Sequence, residues 1–425
     1  MHTWYKIFTY LFYPFAPIYL YIRKLKKKED SLRYKEKLSK IETYRKKGFL
    51  IWIHVASVGE AMSIIPLIEN LIKEEKINTI LLTSITLSSG RILKEKYNQN
   101  QKVIHQFLPL DIPIFVNKFL NHWKPNLSVF IDSEIWPNLI LTTKKKKIPL
   151  LLLNARITKK TFKRWKFLKE FSKKIFTKFD LCIASNKESE EFLKLLGAKN
   201  IKNYGNLKFS NIKNSFKRNL DPTFLYKIKN RKVWCAASTH NNEEILCGET
   251  HLEIKKKYNN IFTIIIPRHI NRVNKIKEDL LNLGLKVSTY SKLEEVSSST
   301  DILIVDAYGE SLKFYNISKS VFVGKSLIKN LTMDGGQNPI EPARLGCTIF
   351  HGPHVSNFTE IYNFLKKLNV TKEINNSSEL SLSLVEKFNQ NDNKNDNISE
   401  KIENYGQNIF NNVMIELKKY INNDR

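Results

Sequence analysis

The chain is poor in anything that would hold a metal or a disulfide. Its four cysteines, Cys182, Cys235, Cys247 and Cys347, stand far apart, with no CxxC pair and no histidine pair beside them. That spacing excludes a zinc-binding or disulfide framework and fits a reducing compartment. Nine scattered histidines add no metal-ligand pattern. Acid is also scarce: 41 Asp and Glu stand against 70 Lys and Arg, a formal charge of +29. Such a surface attracts phosphates, whether on nucleic acid, anionic lipid or a nucleotide. Lys, Asn and Ile recur throughout, so the placement of charge says more than its sum. The sequence also shows no solenoid repeat, no aromatic stacking platform and no recognition-helix pattern for nucleic acid.

What the chain does have is ordered hydrophobicity. At 425 residues it is too long for one ordinary core, and 42% hydrophobic residues suffice for two. Residues 4–22, "WYKIFTYLFYPFAPIYLYI", are apolar and aromatic, and "RKLKKK" follows at once. The length is near the roughly 20 residues that cross a bilayer, although Lys6, Pro14 and Pro17 argue against a plain spanning helix. No small-residue cleavage site follows, so an uncleaved N-terminal membrane anchor helix is expected over 1–28, either spanning or lying in the interface. The basic run puts the rest of the chain on the cytoplasmic side.

Short apolar runs then alternate with amphipathic stretches: "FLIWIHVAS", "NTILLTSI", "LSVFID", "IPLLLLNA" and "FDLCIAS". This pattern predicts a parallel sheet covered on both faces, a Rossmann-like domain over 29–215. A polar linker over 216–231 carries the Asp221-Pro222 turn signal. A second Rossmann-like domain, 232–385, follows with "KVWCAAS", "FTIIIP", "KVSTY", "DILIVDAYG", "SVFVG" and "CTIFHG". Residues 376–399 read as loop or flexible surface, so 386–425 is a flexible segment ending in a helix. Two such domains facing each other would bind ligands in an interdomain cleft at the carboxyl ends of their strands.

Several strand ends carry chemistry. After "WIHVAS", Val58-Gly59-Glu60 opens a helix, where Glu60 either caps the first turn or serves as a general base. "FIDSEIWPNLI" delivers Asp132, Ser133 and Glu134, which suit metal binding, acid–base work or capping of the helix after Pro137. In the second half, "IIIPRH" places Pro267 and Arg268 after a strand, and "VDAYGE" does so with Tyr308, Gly309 and Glu310. "DGGQNPIEPARLG" joins a glycine pair to Asn338, Pro339, Ile340 and Glu341, a loop able to hold phosphate on its N–H groups. "TFKRWKFLKEFSKKIF" (161–176) is a basic amphipathic helix pattern, suited to an anionic membrane or to ordinary docking on the core.

Together these motifs resemble the Kdo transferases of lipopolysaccharide biosynthesis, which move 3-deoxy-D-manno-octulosonic acid (Kdo) from its CMP derivative to a lipid A precursor. The resemblance runs in order through "HVASVGE" (54–60), "DSEIWPNL" (132–139), "NARIT" (154–158), "GNLKF" (205–209), "ASTHNNEE" (237–244), "IPRHINR" (266–272), "YGESLKFY" (308–315), "GGQNPIEPA" (335–343) and "GPHVSNF" (352–358). It implies an α/β, GT-B glycosyltransferase with the acceptor lipid (lipid IVA) on the first domain and CMP-Kdo on the second. It implies Glu60 as general base and Asp132 and Lys208 in transition-state stabilisation. It also implies that Pro267, Arg268, Tyr308, Gly309, Glu310, Asn338, Pro339, Ile340 and Glu341 contact CMP. No metal and no cofactor are implied. The expected partners are CMP-Kdo, the lipid acceptor and the cytoplasmic face of a bacterial inner membrane, with no nucleic acid. The chain departs from the family in having Asp132 where many members have Glu, Lys325 where a second glycine is usual, and a longer "IKNLTMD" connection. The competing readings are a GT-B transferase using another sugar nucleotide and a basic binding protein without catalysis.

Overall fold

Runs of Ile, Leu, Val and Phe that are buried on both faces cannot alternate polar and apolar residues. They become interior strands of a parallel sheet, whose crossover helices cover both sides. The computed structural model describes residues 2–210, 220–328, 335–390 and 396–422. Contacts divide the chain into two units, Met1–Ile212 with Asn404–Arg425, and Lys213–Glu403.

The first unit holds β1 (Phe49–His54), β2 (Ile77–Ser84), β3 (Val103–Phe107), β4 (Leu127–Ile131), β5 (Leu150–Ala155), β6 (Leu181–Ala184) and β7 (Ile201–Asn203). These pair in parallel in the order β3-β2-β1-β4-β5-β6-β7. Trp52, Phe119, Trp123, Phe130 and Phe176 fill its core. The second unit holds β8 (Lys232–Thr239), β9 (Ile261–Pro267), β10 (Val287–Thr289), β11 (Ile302–Ile304), β12 (Ser320–Val323), β13 (Thr348–His351) and β14 (Thr371–Glu373). Their order is β10-β11-β9-β8-β12-β13-β14, around a core that includes Trp234, Ile265 and Phe322. Both sheets reverse winding direction beside their first strand, between β1 and β4 and between β8 and β12. Loops at the carboxyl ends diverge there, which leaves a crevice for ligands.

The expected anchor is not one helix. Pro14 and Pro17 break the apolar run into His2–Leu11, a 3-10 turn at Tyr13–Phe15 and Ala16–Leu25. Among the described residues, no helix is long and apolar enough to cross a membrane. The segment docks on the first unit instead. The Tyr5 hydroxyl donates to Asp111 at 2.8 Å, and Asn138 Nδ2 donates to Thr9 Oγ1 at 3.0 Å. Ala16 and Leu20 join Leu38, Ile112 and Phe115 in a small separate cluster. The outward face stays apolar, with Trp4 73% and Phe8 72% exposed.

Two other readings change. Residues 376–399 are not simply loop: Asn376 caps a helix at Ser377–Asn389, which buries Leu380 and Leu384 in the second core. Residues 391–395 lie outside the described residues, as do 329–334 of the longer connection and 216–219 of the linker. The rest of that linker includes a helix, Pro222–Ile228, capped by Asp221. The basic amphipathic stretch is two helices, Lys159–Phe167 and Lys169–Phe176, parted at Leu168. The second docks Phe171, Ile175 and Phe176 on the core, while Phe167 at the end of the first is 86% exposed.

Candidate active site

Strands β1 and β4 are neighbours at the winding reversal of the first sheet, so the segments that leave them meet. Beyond β1, Ser57 caps the helix Val58–Ser63, its hydroxyl accepting from the Glu60 amide at 3.3 Å and donating to Glu60 Oε1 at 2.8 Å. The other carboxylate oxygen, Oε2, accepts from the Ala56 amide at 2.7 Å. This is a capping box that reaches one residue further back than usual. Burial, against the pull of the cap, gives Glu60 an unusual proton affinity. Burial pushes its pKa from 4.5 to about 7, with the Ala56 amide opposing and the charges of Asp132 and Glu134 adding to the rise. The capping and general-base readings therefore describe the same carboxylate.

Beyond β4, Asp132 is buried at φ +61, a region that Asp enters more readily than Glu. Burial raises its pKa, while Lys208 and Arg156 pull it down. Neither Asp132 nor Glu134 caps the next helix, Pro137–Lys145. Asp111 does, accepting from the Asn138 and Leu139 amides at 3.0 and 2.8 Å. Glu134 instead sits 3.1 Å from His54 Nε2 and accepts from Trp136 Nε1 at 2.7 Å. Burial would raise this carboxyl, but the hydrogen bond and charge of His54 and the Trp136 N–H hold it below its ordinary value.

Lys208 reaches the same place from a third element. The helix Val58–Ser63 packs against the 3-10 turn Leu207–Ser210. That turn is tied to β5 by Asn154, whose Oδ1 accepts from the Leu207 amide at 2.9 Å. Burial lowers the Lys208 pKa; Asp132 and Glu60 oppose this, and Arg156 reinforces it. Glu60, Asp132 and Lys208 are thus brought together. His54, Asn154 and Glu134 support them; Glu134 stood out in the sequence beside Asp132, whereas His54 and Asn154 were missed as site residues. Their signal was present in "HVASVGE" and "NARIT", but a residue that positions another has no spacing rule of its own.

The second unit builds its strand ends from backbone. Glu243, buried in the first turn of the helix Glu243–Lys255, receives four main-chain N–H bonds. His240 and Lys325 donate to Oε2 at 2.9 and 2.7 Å, and Ser326 and Leu327 donate to Oε1 at 3.0 and 3.2 Å. A Cβ on Gly324 would lie 2.7 Å from that carboxylate. Lys325 stands at φ +56, which explains why glycine suits this position. Its carbonyl accepts from the Gly336 amide at 2.6 Å, clamping the glycine pair to the loop after β12.

The remaining expected contacts lie around this edge. Pro267 ends β9 buried, Arg268 is exposed after it, and the Arg268 amide donates to Thr239 O at 3.0 Å. Tyr308 is 63% exposed and Gly309 has φ +82. Glu310 is paired with Lys313 and accepts from Tyr290 at 3.2 Å. Asn338 Oδ1 accepts from the Ile340 amide at 3.1 Å, opening the helix Ile340–Arg344. Pro339 and Ile340 are buried, and Glu341 is exposed. Among the described residues, no three His, Cys, Asp or Glu side chains are grouped to hold a metal.

Residues 32–211 match the family profile described as 3-deoxy-D-manno-octulosonic-acid transferase (kdotransferase). A 3-deoxy-D-manno-octulosonic acid transferase of Rickettsia bellii is 33% identical over 406 residues, covering 95% of this chain and 94% of that one. The chain belongs to the Kdo transferase family. A second relative of that description, from Haemophilus influenzae, is 30% identical over 332 residues, 77% of this chain and 76% of that one. Among solved structures, a glycosyltransferase from Rickettsia africae shares the fold at 13% identity, with a TM-score of 0.57 over 89% of this chain and all of that one. Within the family, the positive φ of Asp132 and of Lys325 gives two of this chain's three departures a backbone context.

Proposed function

We propose that this Kdo transferase moves Kdo from CMP-Kdo to a sugar hydroxyl of a lipid A precursor, with inversion at the anomeric carbon. The observation that carries the reading is Glu60, a carboxylate fixed by two hydrogen bonds with its pKa near neutrality. A base with that affinity can take the acceptor hydroxyl proton in the transition state. The new bond forms from that oxygen to the anomeric carbon. The bond to the CMP phosphate breaks, and its electron pair leaves with the phosphate.

Lys208 neutralises charge on the departing phosphate, and Asp132 holds Lys208 in place. On the second unit, Arg268 and the 335–341 loop bind the cytidylate phosphate, with Tyr308, Gly309 and Glu310 beside them. The N-terminal helices lie in the interface of the inner membrane on its cytoplasmic face, aromatic side down, assisted by Phe167 and its lysines.

The test is product analysis with purified protein, CMP-Kdo and lipid IVA. Transfer of Kdo with release of CMP supports the reading. Displacement of donor by UDP rather than CMP would favour another sugar nucleotide, and salt-dependent nucleic-acid binding without transfer would favour a non-catalytic protein. Flotation with anionic vesicles tests the membrane face: replacing Trp4 and Phe8 by serine should abolish it.

A further inference from the structure

The helix Asp396–Asn422 carries Gly406 in its interior, where glycine is among the least favourable residues. Its neighbour gives the reason. From Asn404 onward this helix belongs to the first unit, and Gly406 is buried against the turn Leu207–Ser210 that carries Lys208. A Cβ at position 406 would lie 2.2 Å from the Phe209 carbonyl oxygen and 2.7 Å from its carbon, whereas ordinary contact begins at 3.4 Å. The helix backbone therefore presses directly on the residue that follows Lys208.

The contact is reciprocal. Gly205, three residues before Lys208, has φ +103, and a Cβ there would meet the Ile409 side chain at 2.8 Å and the Tyr405 hydroxyl at 3.1 Å. The Phe209 ring meets that of Tyr405 edge-on, with centroids 4.9 Å apart. Each element thus supplies a glycine where the other comes closest, which sets how deeply the turn is seated. Asn154 holds the Leu207 amide from β5, so two elements grip the same turn. The helix itself is anchored farther along. Glu416 accepts from Lys202 at 2.9 Å and from the Tyr204 hydroxyl at 3.1 Å, Lys418 pairs with Glu74 at 2.8 Å, and Val413, Leu417 and Ile421 are buried. A group wedged in at 406 would displace the short turn before the long helix. A cation that meets a departing phosphate acts only from the right place, and a misplacement of about 1 Å can cost about 10²-fold in rate.

We propose that Gly406 is a positioning residue for the transfer reaction: its missing side chain lets the C-terminal helix seat the turn that holds Lys208. The inference rests on the role given to Lys208 above. Transfer kinetics with CMP-Kdo and lipid IVA test it. Gly406→Ala should lower kcat at least about tenfold with CMP affinity unchanged. In a Lys208→Met background the same change should cost less than about twofold, because the contribution it acts through is already gone. Glu416→Ala loosens the same helix away from the turn; its melting temperature should fall while kcat stays within about twofold of wild type. Ile409→Ala removes the side chain over Gly205 without a clash and should lower kcat about threefold or more. The inference is overturned if Gly406→Ala transfers at the wild-type rate, if it costs the same factor with and without Lys208, or if Glu416→Ala loses as much kcat. Should Gly406→Ala not fold, a wild-type kcat in Ile409→Ala overturns it. Wild-type kcat in Lys208→Met would instead remove the catalytic role of Lys208, and the positioning role with it.

Discussion

In the first unit the strand ends present ionisable side chains to one another; in the second they present backbone. Burial displaces Glu60, Asp132 and Lys208 alike; the charge of Asp132 raises Glu60 further, Lys208 pulls Asp132 down, and both carboxylates oppose the lowering of Lys208. Glu243 in the second unit is fully buried, and burial raises its pKa too, but its oxygens are occupied by four loop amides. One carboxylate is set up to exchange a proton, and the other to hold a loop. On the proposed assignment the first unit does the chemistry and the second the binding, so substitutions in the two units should separate rate from affinity.

The largest effect should come from Glu60→Gln. Removing a positioned general base should lower kcat by about 10³-fold, with CMP affinity unchanged, as checked by transfer kinetics and CMP titration. Glu243→Ala tests the other side of the comparison. It leaves four amides without their acceptor, so the donor KM should rise about tenfold or more and stability should fall by about 3 kcal/mol, measured by denaturant unfolding. Asn154→Ala would sharpen the contrast within the first unit, since it releases the turn that carries Lys208. We expect kcat to fall about tenfold, donor KM to hold, and stability to drop by about 1–2 kcal/mol. Smallest of all, Lys325→Gly relieves a left-handed backbone and should stabilise the protein by about 1 kcal/mol without changing kcat/KM by more than about twofold.

Much of this was legible because parallel strands buried on both faces leave unbroken apolar runs, and the residues after those runs fall at one sheet edge. β3, β7 and β14 escaped notice because "VIHQF", "IKN" and "TKE" are short or polar and lie toward the sheet edges, where no hydrophobic run is required. Lys208 was legible only through the family resemblance; Glu60 stood out at its strand end, but capping and general-base work both stayed open there. A glutamate in a first helical turn is ordinary, and its displaced pKa arises first from burial, with the charges of Asp132 and Glu134, more than 70 residues away, adding to it. The cap from Asp111 to the helix Pro137–Lys145 was invisible for the same reason: the partner comes from another element. Pro14 and Pro17 were weighed correctly as breaks, yet the docking through Tyr5 and Thr9 depends on partners that no local pattern reveals.

The account rests on Glu60 being a base that ionises near neutrality. A carboxyl whose folded pKa is raised from 4.5 to about 7 favours the folded state below pH 4.5 and loses that contribution, at most about 3 kcal/mol, as pH rises through 7. Activity runs the opposite way, because only the ionised form accepts a proton. The decisive measurement is the pH dependence of kcat/KM for wild type and Glu60→Gln. Wild type should rise with an apparent pKa near 7, and the residual activity of the variant should lack that limb. A wild-type rate already flat above pH 5, or a limb near 7 that survives in Glu60→Gln, would contradict it.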